Sequence, residues 1–522
     1  MADGGFKRFD EAPSPEELSK YPANDWGNGM RLIRLAGGVR DPTGGAPDVT
    51  AARLLYLSGS GWIGFNGKYW DREHGENLAR VLAHQTAQGV IEQTEFIADE
   101  DYRKTFRRFA RESGNAGRTS AMLTQAQPYL TVSLDVFDQD PLALNVRNGT
   151  LRFRRVPGEG MVTSIARHDP ADRITRMADV DYDPKATAPI FQRILEHAQP
   201  AEEMQAYVRR VVGYAATGHT REQVMFLAHG KGRDSKSTLF DAVRETLGGY
   251  ATVASVVTFL DEGFRGGAEA SPDLARLAGD LRFVSIPEPK RGAKLNEGLI
   301  KSWTSGAPIV ARELRQSLFE YRPTGKLIME CNSLPVIRND DDGTWRRIMP
   351  IPFKRQVAKD EIDRTLPDQL RLEHSGILNW VIAGIGDWLS EGISPPEEVL
   401  DLINDYRRGS SPFGEWVEDC IEPDPEAETP AAYFYSSYKS WCEENGIEKP
   451  MSQTSFGRAL SDRQIIRIRT TTGGKVIRKG ARLRKAGSAV PGPAPSDSPS
   501  AGGLGGGSDF PALDPKDFGF DS

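Results

Sequence analysis

Cysteine is nearly missing from this 522-residue chain: there are three, Cys331, Cys420 and Cys442, with no C-x-x-C pair and no histidines clustered beside them. That spacing excludes a disulfide framework and a structural zinc site, and fits a reducing compartment. No run of eighteen consecutive apolar residues occurs, so no membrane-spanning helix is expected. The opening stretch, MADGGFKRFDEAPSPEELSK, holds no apolar core of the kind a secretory signal needs. A basic excess is lacking too, since 66 Lys and Arg stand against 73 Asp and Glu for a net charge of −7. Any contact with nucleic acid must therefore come from local basic patches rather than from the overall field. The seven histidines are dispersed and suggest no catalytic group, and no internal repeat is visible.

What is present is length enough for several cores. Changes in composition divide the chain into a polar leader (1–24), a mixed α+β N-terminal region (25–185) and a helical collar (186–222). An α/β core follows (223–360), then a helical stretch (361–410), a small mixed module (411–485) and a Gly/Ser/Pro-rich tail (486–522) that is expected to be disordered.

The most informative segment is VMFLAHGKGRDSKSTLFDAV. An apolar strand runs into a loop with Gly230 and Gly232, and Lys236-Ser237-Thr238 opens a helix. In such a loop, backbone N–H groups and the helix N-terminus hold phosphates, the lysine reaches the outer phosphates, and the serine hydroxyl reaches Mg²⁺. The spacing fits G-x-x-x-x-G-K-[ST] except that Ser235 stands where the last glycine belongs. Glycine tolerates positive φ there, so serine implies strain. A bland glycine-rich turn is the alternative.

Two further strands and an arginine pair follow. LRFVSIPE ends at Glu288, where a motor places the carboxylate that orients Mg²⁺ and the attacking water. KLIMECN ends at Asn332, a polar tip suited to sensing a γ-phosphate, or simply a turn residue. GTWRRI supplies Arg346 and Arg347, either an arginine finger for a neighbouring subunit or a surface pair. In this order the elements point to a nucleoside-triphosphate-driven motor.

Here the chain resembles the superfamily 3 helicases, specifically the helicase portion of the phage/plasmid primase-helicases, over about residues 25–485. HGKGRDSKSTL is similar to motif A, FVSIPE to motif B, KLNEGLIKSWTSGAPIVAREL to motif B′, KLIMECNSLP to motif C, and DDDGTWRRIMPIPF to the arginine-bearing segment. NDWGNGMRL, DPLALNVRNGTLRF and VVGYAATGHTREQ are similar to the helicase-associated N-terminal region. The resemblance implies an AAA+-like P-loop core, ATP and Mg²⁺ as cofactors, a homo-oligomeric ring (usually a hexamer) and 3′-to-5′ translocation on single-stranded DNA. The implied setting is the bacterial cytoplasm of a phage or plasmid host. There are departures from the family pattern. Ser235 replaces Gly, Asp234 stands where Asn is usual, and motif B keeps Glu288, flanked by Pro287 and Pro289, but lacks the usual second acid. Motif B′ has Ala307 where a carboxylate is common. No polymerase-type primase domain is recognisable, so a separate primase, and a single-stranded-DNA-binding protein, are expected partners.

For DNA, Lys290, Arg291, Lys294 and Lys301 lie where the family places channel-facing residues, with Arg312 and Arg315 as further candidates. A solvated basic turn is the alternative reading. In the last module, Arg458 to Lys485 holds ten Lys/Arg against one acid, Asp462. Its helix–strand–turn–strand pattern is winged-helix-like. Arg467, Arg469, Lys475, Arg478 and Lys479 are its candidate phosphate contacts, unless they merely protect a basic edge strand from aggregation. The tail SDFPALDPKDFGFDS is a partner-docking tip or a solubilising end. GSGWIG matches G-x-G-x-x-G but precedes more aromatic strand, so a hairpin is expected there rather than a dinucleotide site. Asp135, Asp138 and Asp140 read as loop. The competing functional class is an ATP-binding, DNA-bound ring or loader with little hydrolysis; an RNA helicase is a third.

Overall fold

The computed structural model describes residues 13–484 apart from 40–46, 157–159, 262–270, 313–317, 338–341, 411, 448–449 and 470–475. The chain divides into two compact units, Met1–Glu415 and Trp416–Ser522.

At the centre of the first unit is a sheet of five parallel strands. They are β1 (Met225–Gly230), β2 (Ala251–Val253), β3 (Phe283–Ile286), β4 (Lys326–Cys331) and β5 (Ile348–Phe353). Their order across the sheet is β5-β1-β4-β3-β2. The near-continuous apolar character of these strands reflects burial on both faces. Along β1, Met225 and Leu227 pack into one core while Phe226 and Ala228 pack into the other. The same alternation separates Ile328 from Leu327 and Met329 on β4. This is the period-two geometry of a strand sandwiched between helical layers. The α/β core is therefore present as expected.

One layer holds the helix Lys236–Leu247 together with helices Pro189–Ala198, Glu202–Ala215 and His374–Glu391. Glu202–Ala215 and His374–Glu391 meet where a Cβ on Gly213 would lie 2.0 Å from the carbonyl carbon of Gly384. Only glycines allow that approach, which brings the expected collar and the later helical stretch into one layer. The other layer holds helix Glu297–Thr304, with Trp303 buried, and a two-stranded antiparallel pair, Ile309–Ala311 with Phe319–Tyr321.

Upstream, a four-stranded sheet and helices Asp25–Leu35, Gly75–Gly89 and Ala116–Leu130 close a separate core around Trp62 and Trp70. GSGWIG is the turn and second strand of a hairpin, with Leu54–Leu57 paired to Gly61–Phe65. Asp138 accepts hydrogen bonds from the Thr175 N–H (2.8 Å) and hydroxyl (2.6 Å) and so serves as a loop brace. Among the described residues no helix is long and apolar enough to cross a membrane.

The second unit begins within helix Pro412–Cys420 and runs on through strand β6 (Ile421–Pro430), helices Ala431–Glu444 and Gln453–Asp462, strand β7 (Ile466–Arg469) and strand β8 (Val476–Leu483). The sheet order is β6-β8-β7, all antiparallel, a winged-helix-like topology. Its core is aromatic: the Tyr438 and Phe456 rings stack at 5.0 Å, and Trp416 sits 5.2 Å from Phe456.

Candidate functional site

In an open parallel sheet, ligands settle beyond the carboxyl ends of the strands, where neighbouring connections diverge to opposite faces. Strand β1 neighbours both β5 and β4, and its carboxyl end leads into the loop that opens helix Lys236–Leu247. A Cβ on Gly230 would fall 2.0 Å from the Asp234 Oδ2, so only glycine fits where the loop folds back on the strand end. The loop then takes left-handed conformations at Gly232 (φ 82°), Arg233 (φ 54°) and Ser235 (φ 63°). Ser235 thus carries, at a strain of about 1 kcal/mol, the positive φ that its sequence position implied. Two residues beyond β5 brace this shape. The Gln356 amide donates to the Gly232 carbonyl (2.9 Å), and the Val357 N–H donates to that of Arg233 (2.6 Å).

Beyond the loop lies an open cleft of about 560 Å³, bounded by residues 232–238 on one side and by Ser285, Pro287, Glu288, Glu330 and Asn332 on the other. Lys236 is buried, and its Nζ donates to Asn332 Oδ1 at 2.9 Å and pairs with the buried Asp234 carboxylate at 3.1 Å. The Glu288 carboxylate accepts from the Asn332 side-chain amide (2.8 Å) and backbone N–H (3.2 Å). The structure therefore brings Gly232, Asp234, Ser235, Lys236, Ser237, Thr238, Glu288 and Asn332 together in one cleft. Gly230 shapes the loop from beneath and does not line the cleft.

Sequence reasoning passed over Glu330. It sits in β4 among buried Leu327, Ile328, Met329 and Cys331, and accepts a hydrogen bond from the Ser237 hydroxyl. Burial raises its carboxyl above the usual range, opposed by the Ser237 hydrogen bond. A carboxylate directly after the apolar run LIM of strand β4 was the available signal. The same burial lifts the neighbouring Cys331 thiol to about 12, so it is an inert core group. Chemically the cleft offers a helix N-terminus and an ammonium for a polyanion, and hydroxyl and carboxylate oxygens for a hard divalent cation.

The arginine pair divides. Arg346 is exposed, whereas Arg347 is buried, with Nε donating to Thr304 Oγ1 (3.2 Å) and a second N–H donating to the Gly343 carbonyl. Arg347 is held inside its own chain, which corrects its candidacy as a finger. Lys290 and Arg291 are exposed in the turn just after Glu288. Lys294 and Lys301 are half-buried, and Arg315 lies outside the described residues.

The C-terminal candidates need larger correction. Arg478 is buried and donates to the Ser461 hydroxyl (2.8 Å), the Ile465 carbonyl (2.9 Å) and the Gly457 carbonyl (2.7 Å). Its guanidinium staples helix Gln453–Asp462 to β8 and cannot reach a phosphate. Strand β8 is the central strand, not an edge, and its neighbour is the acidic β6. Lys479 pairs with Glu426 (3.5 Å), and Arg482 with Glu422 (3.0 Å) and Asp424 (3.6 Å). The acidic and basic runs noted in the sequence are thus strand partners that offset each other. Arg467 on the edge strand β7 stays exposed. Lys475 and the Arg469 side chain lie outside the described residues.

Two family descriptions match the chain: "D5 N terminal like" over residues 48–200 and "Poxvirus D5 protein-like" over 409–464. Curated relatives are viral. "Putative helicase L207/L206" of Acanthamoeba polyphaga mimivirus is 27% identical over 44% of this chain and 25% of its own length. "Putative helicase 022R" of Frog virus 3 is 25% identical over 49% and 28%. The chain spans about a quarter of the length of these relatives. Among solved structures, the A form apo structure of the NrS-1 C terminal region covers 58% of this chain and 79% of that one, at 12% identity and a TM-score of 0.31.

Proposed function

We propose that the chain is an ATP-dependent DNA helicase that works as a ring, with the cleft at the carboxyl ends of β1, β3 and β4 as its nucleotide site. The observation that carries this reading is the convergence of Lys236, Ser237, Glu288 and Asn332, distant in sequence, on one phosphate-sized hollow at a helix N-terminus. In the proposed complex, the loop and helix N–H groups hold the phosphates. Lys236 turns from Asp234 toward the β- and γ-phosphates, and Ser237 contributes to holding Mg²⁺. Glu288 orients the attacking water, with Asn332 linking it to the γ-phosphate. Mg²⁺ would neutralise charge developing on the phosphoryl oxygens. Arg346, exposed while Arg347 is not, is the candidate finger for an adjacent subunit.

DNA contact fits Lys290 and Arg291, which follow Glu288 by two and three residues, so that a change at the nucleotide could move a phosphate-binding turn. Replication of a phage, plasmid or virus is the proposed setting. The named relatives favour large viruses of eukaryotes over a bacterial host. Ring size and the separate primase remain part of the proposal.

One observation favours the alternative of an ATP-binding ring with little turnover: Asp234 already neutralises Lys236. Phosphate release with and without single-stranded DNA separates the two. Stimulated release that disappears in Lys236→Ala supports the motor; binding of ATP and DNA without release supports the loader. Comparing DNA with RNA forks tests the choice of strand.

A further inference from the structure

We propose that Glu330 is the carboxylate that holds the nucleotide-bound divalent cation, acting from β4 in place of the acid that the motif ending at Glu288 lacks on β3. The inference rests on the nucleotide-site reading above and assigns a residue which that reading leaves open.

Four carboxylates line the cleft, and three are engaged by N–H groups. Asp234 faces the Lys236 ammonium at 3.1 Å, Asp241 faces the Arg244 guanidinium at 2.6 Å, and Glu288 takes two N–H bonds from Asn332. Glu330 instead meets a hydroxyl, that of Ser237, the side chain at the helix N-terminus where the cation would sit. Magnesium keeps most of its waters and takes one or two protein oxygens plus phosphate oxygens. A serine hydroxyl and a carboxylate in mutual contact are such a pair.

The register explains how the substitution works. Strands β3 and β4 run parallel with Ile286 beside Met329. The next step brings position 287 alongside position 330, so a proline stands on one strand and a glutamate on the other. The acid is displaced sideways by one strand while facing the same cleft, since Pro287 and Glu330 both line it. A partly buried carboxylate among apolar neighbours is costly unless a cation or strong donors satisfy it, and the bound metal would do so. Glu288 is thereby left to the water.

The test is equilibrium binding of a fluorescent ADP analogue to the full chain, with Mg²⁺ and with a chelator, so that turnover is not the readout. Wild-type protein should bind about tenfold or more tightly with Mg²⁺. Glu330→Gln should bind equally in both conditions and lose the bound-Mn²⁺ signal in electron paramagnetic resonance. Glu330→Asp should recover part of the difference, which guards against a folding artefact, and Glu288→Gln should keep all of it. A Glu330→Gln variant with wild-type Mg²⁺ dependence would overturn the assignment, as would its loss in Glu288→Gln alone. Wild-type protein that binds no nucleotide in either condition, or Lys236→Ala binding as wild type, would instead remove the nucleotide-site reading and the assignment with it.

Discussion

The Asp234 carboxylate holds the Lys236 ammonium and accepts a hydrogen bond from the Gly232 N–H at 3.3 Å, so one acid both shapes the loop and occupies its cation. Incoming phosphates must win Lys236 from it while bearing the same charge. Asp234→Asn keeps an acceptor for the loop and removes the competition. Nucleotide dissociation constants measured by fluorescence titration should fall by about three- to tenfold, a gain of roughly 1 kcal/mol. The arginines give a second residue-level outcome. Arg347→Ala should lower unfolding free energy in urea by about 2–3 kcal/mol through its lost buried hydrogen bonds. Arg346→Ala should leave stability within about 0.5 kcal/mol and reduce only turnover of the assembled ring. Loop, lysine and strand-tip residues were legible because their chemistry is tied to fixed spacings. Glu330 was not, because strand-end logic looks at tips, and the pairing of Glu330 with Ser237 is a tertiary fact. Arg478 misled because a count of basic residues carries no information about which side of a strand each one faces.

At the scale of elements, apolar runs bounded by a glycine loop made the core strands readable, whereas their order across the sheet, with β1 between β5 and β4, is set by long-range packing. The closeness of helices Glu202–Ala215 and His374–Glu391 was hidden because Gly213 and Gly384 are ordinary in composition and matter only as a pair. Gly213→Ala inserts a Cβ into the Gly384 backbone and should cost about 3 kcal/mol, measurable as a lower thermal midpoint. The winged module was legible in its helix–strand–turn–strand order, but not in its charge, since β6 supplies the carboxylates that offset β8. Arg467→Ala should therefore weaken single-stranded-DNA binding and reduce the slope of log affinity against log salt by about one. Arg478→Ala should leave that slope unchanged and destabilise the module.

Across the whole molecule, the two D5-type matches flank the P-loop core, at 48–200 and 409–464, so the core is read from its own residues rather than from those matches. The N-terminal region meets that core through buried charge. Arg282 pairs with Asp280 at 2.7 Å and donates to the Ala216 carbonyl. Burial, with the nearby Asp280 carboxylate, pushes Asp138 up to about 7. An acid whose folded value is raised contributes stability that is fully present below its ordinary carboxylate range and lost as pH rises through about 7. Asp138→Asn removes that loss, so its melting temperature should gain on wild type as pH rises from about 4 to about 7 and level off above that. A constant offset would show that Asp138 charges freely.

The most direct measurement is an electron cryomicroscopy map of the chain with Mg²⁺, a slowly hydrolysed ATP analogue and forked DNA. The triphosphate should lie along Gly232 to Thr238, with Lys236 moved from Asp234 onto it, Glu288 and Asn332 at its γ end, and Arg346 of an adjacent copy within reach. A map with nucleotide bound elsewhere, or with Lys236 still on Asp234 and the cleft filled only by solvent, would contradict the assignment of this cleft as the engine of a DNA motor.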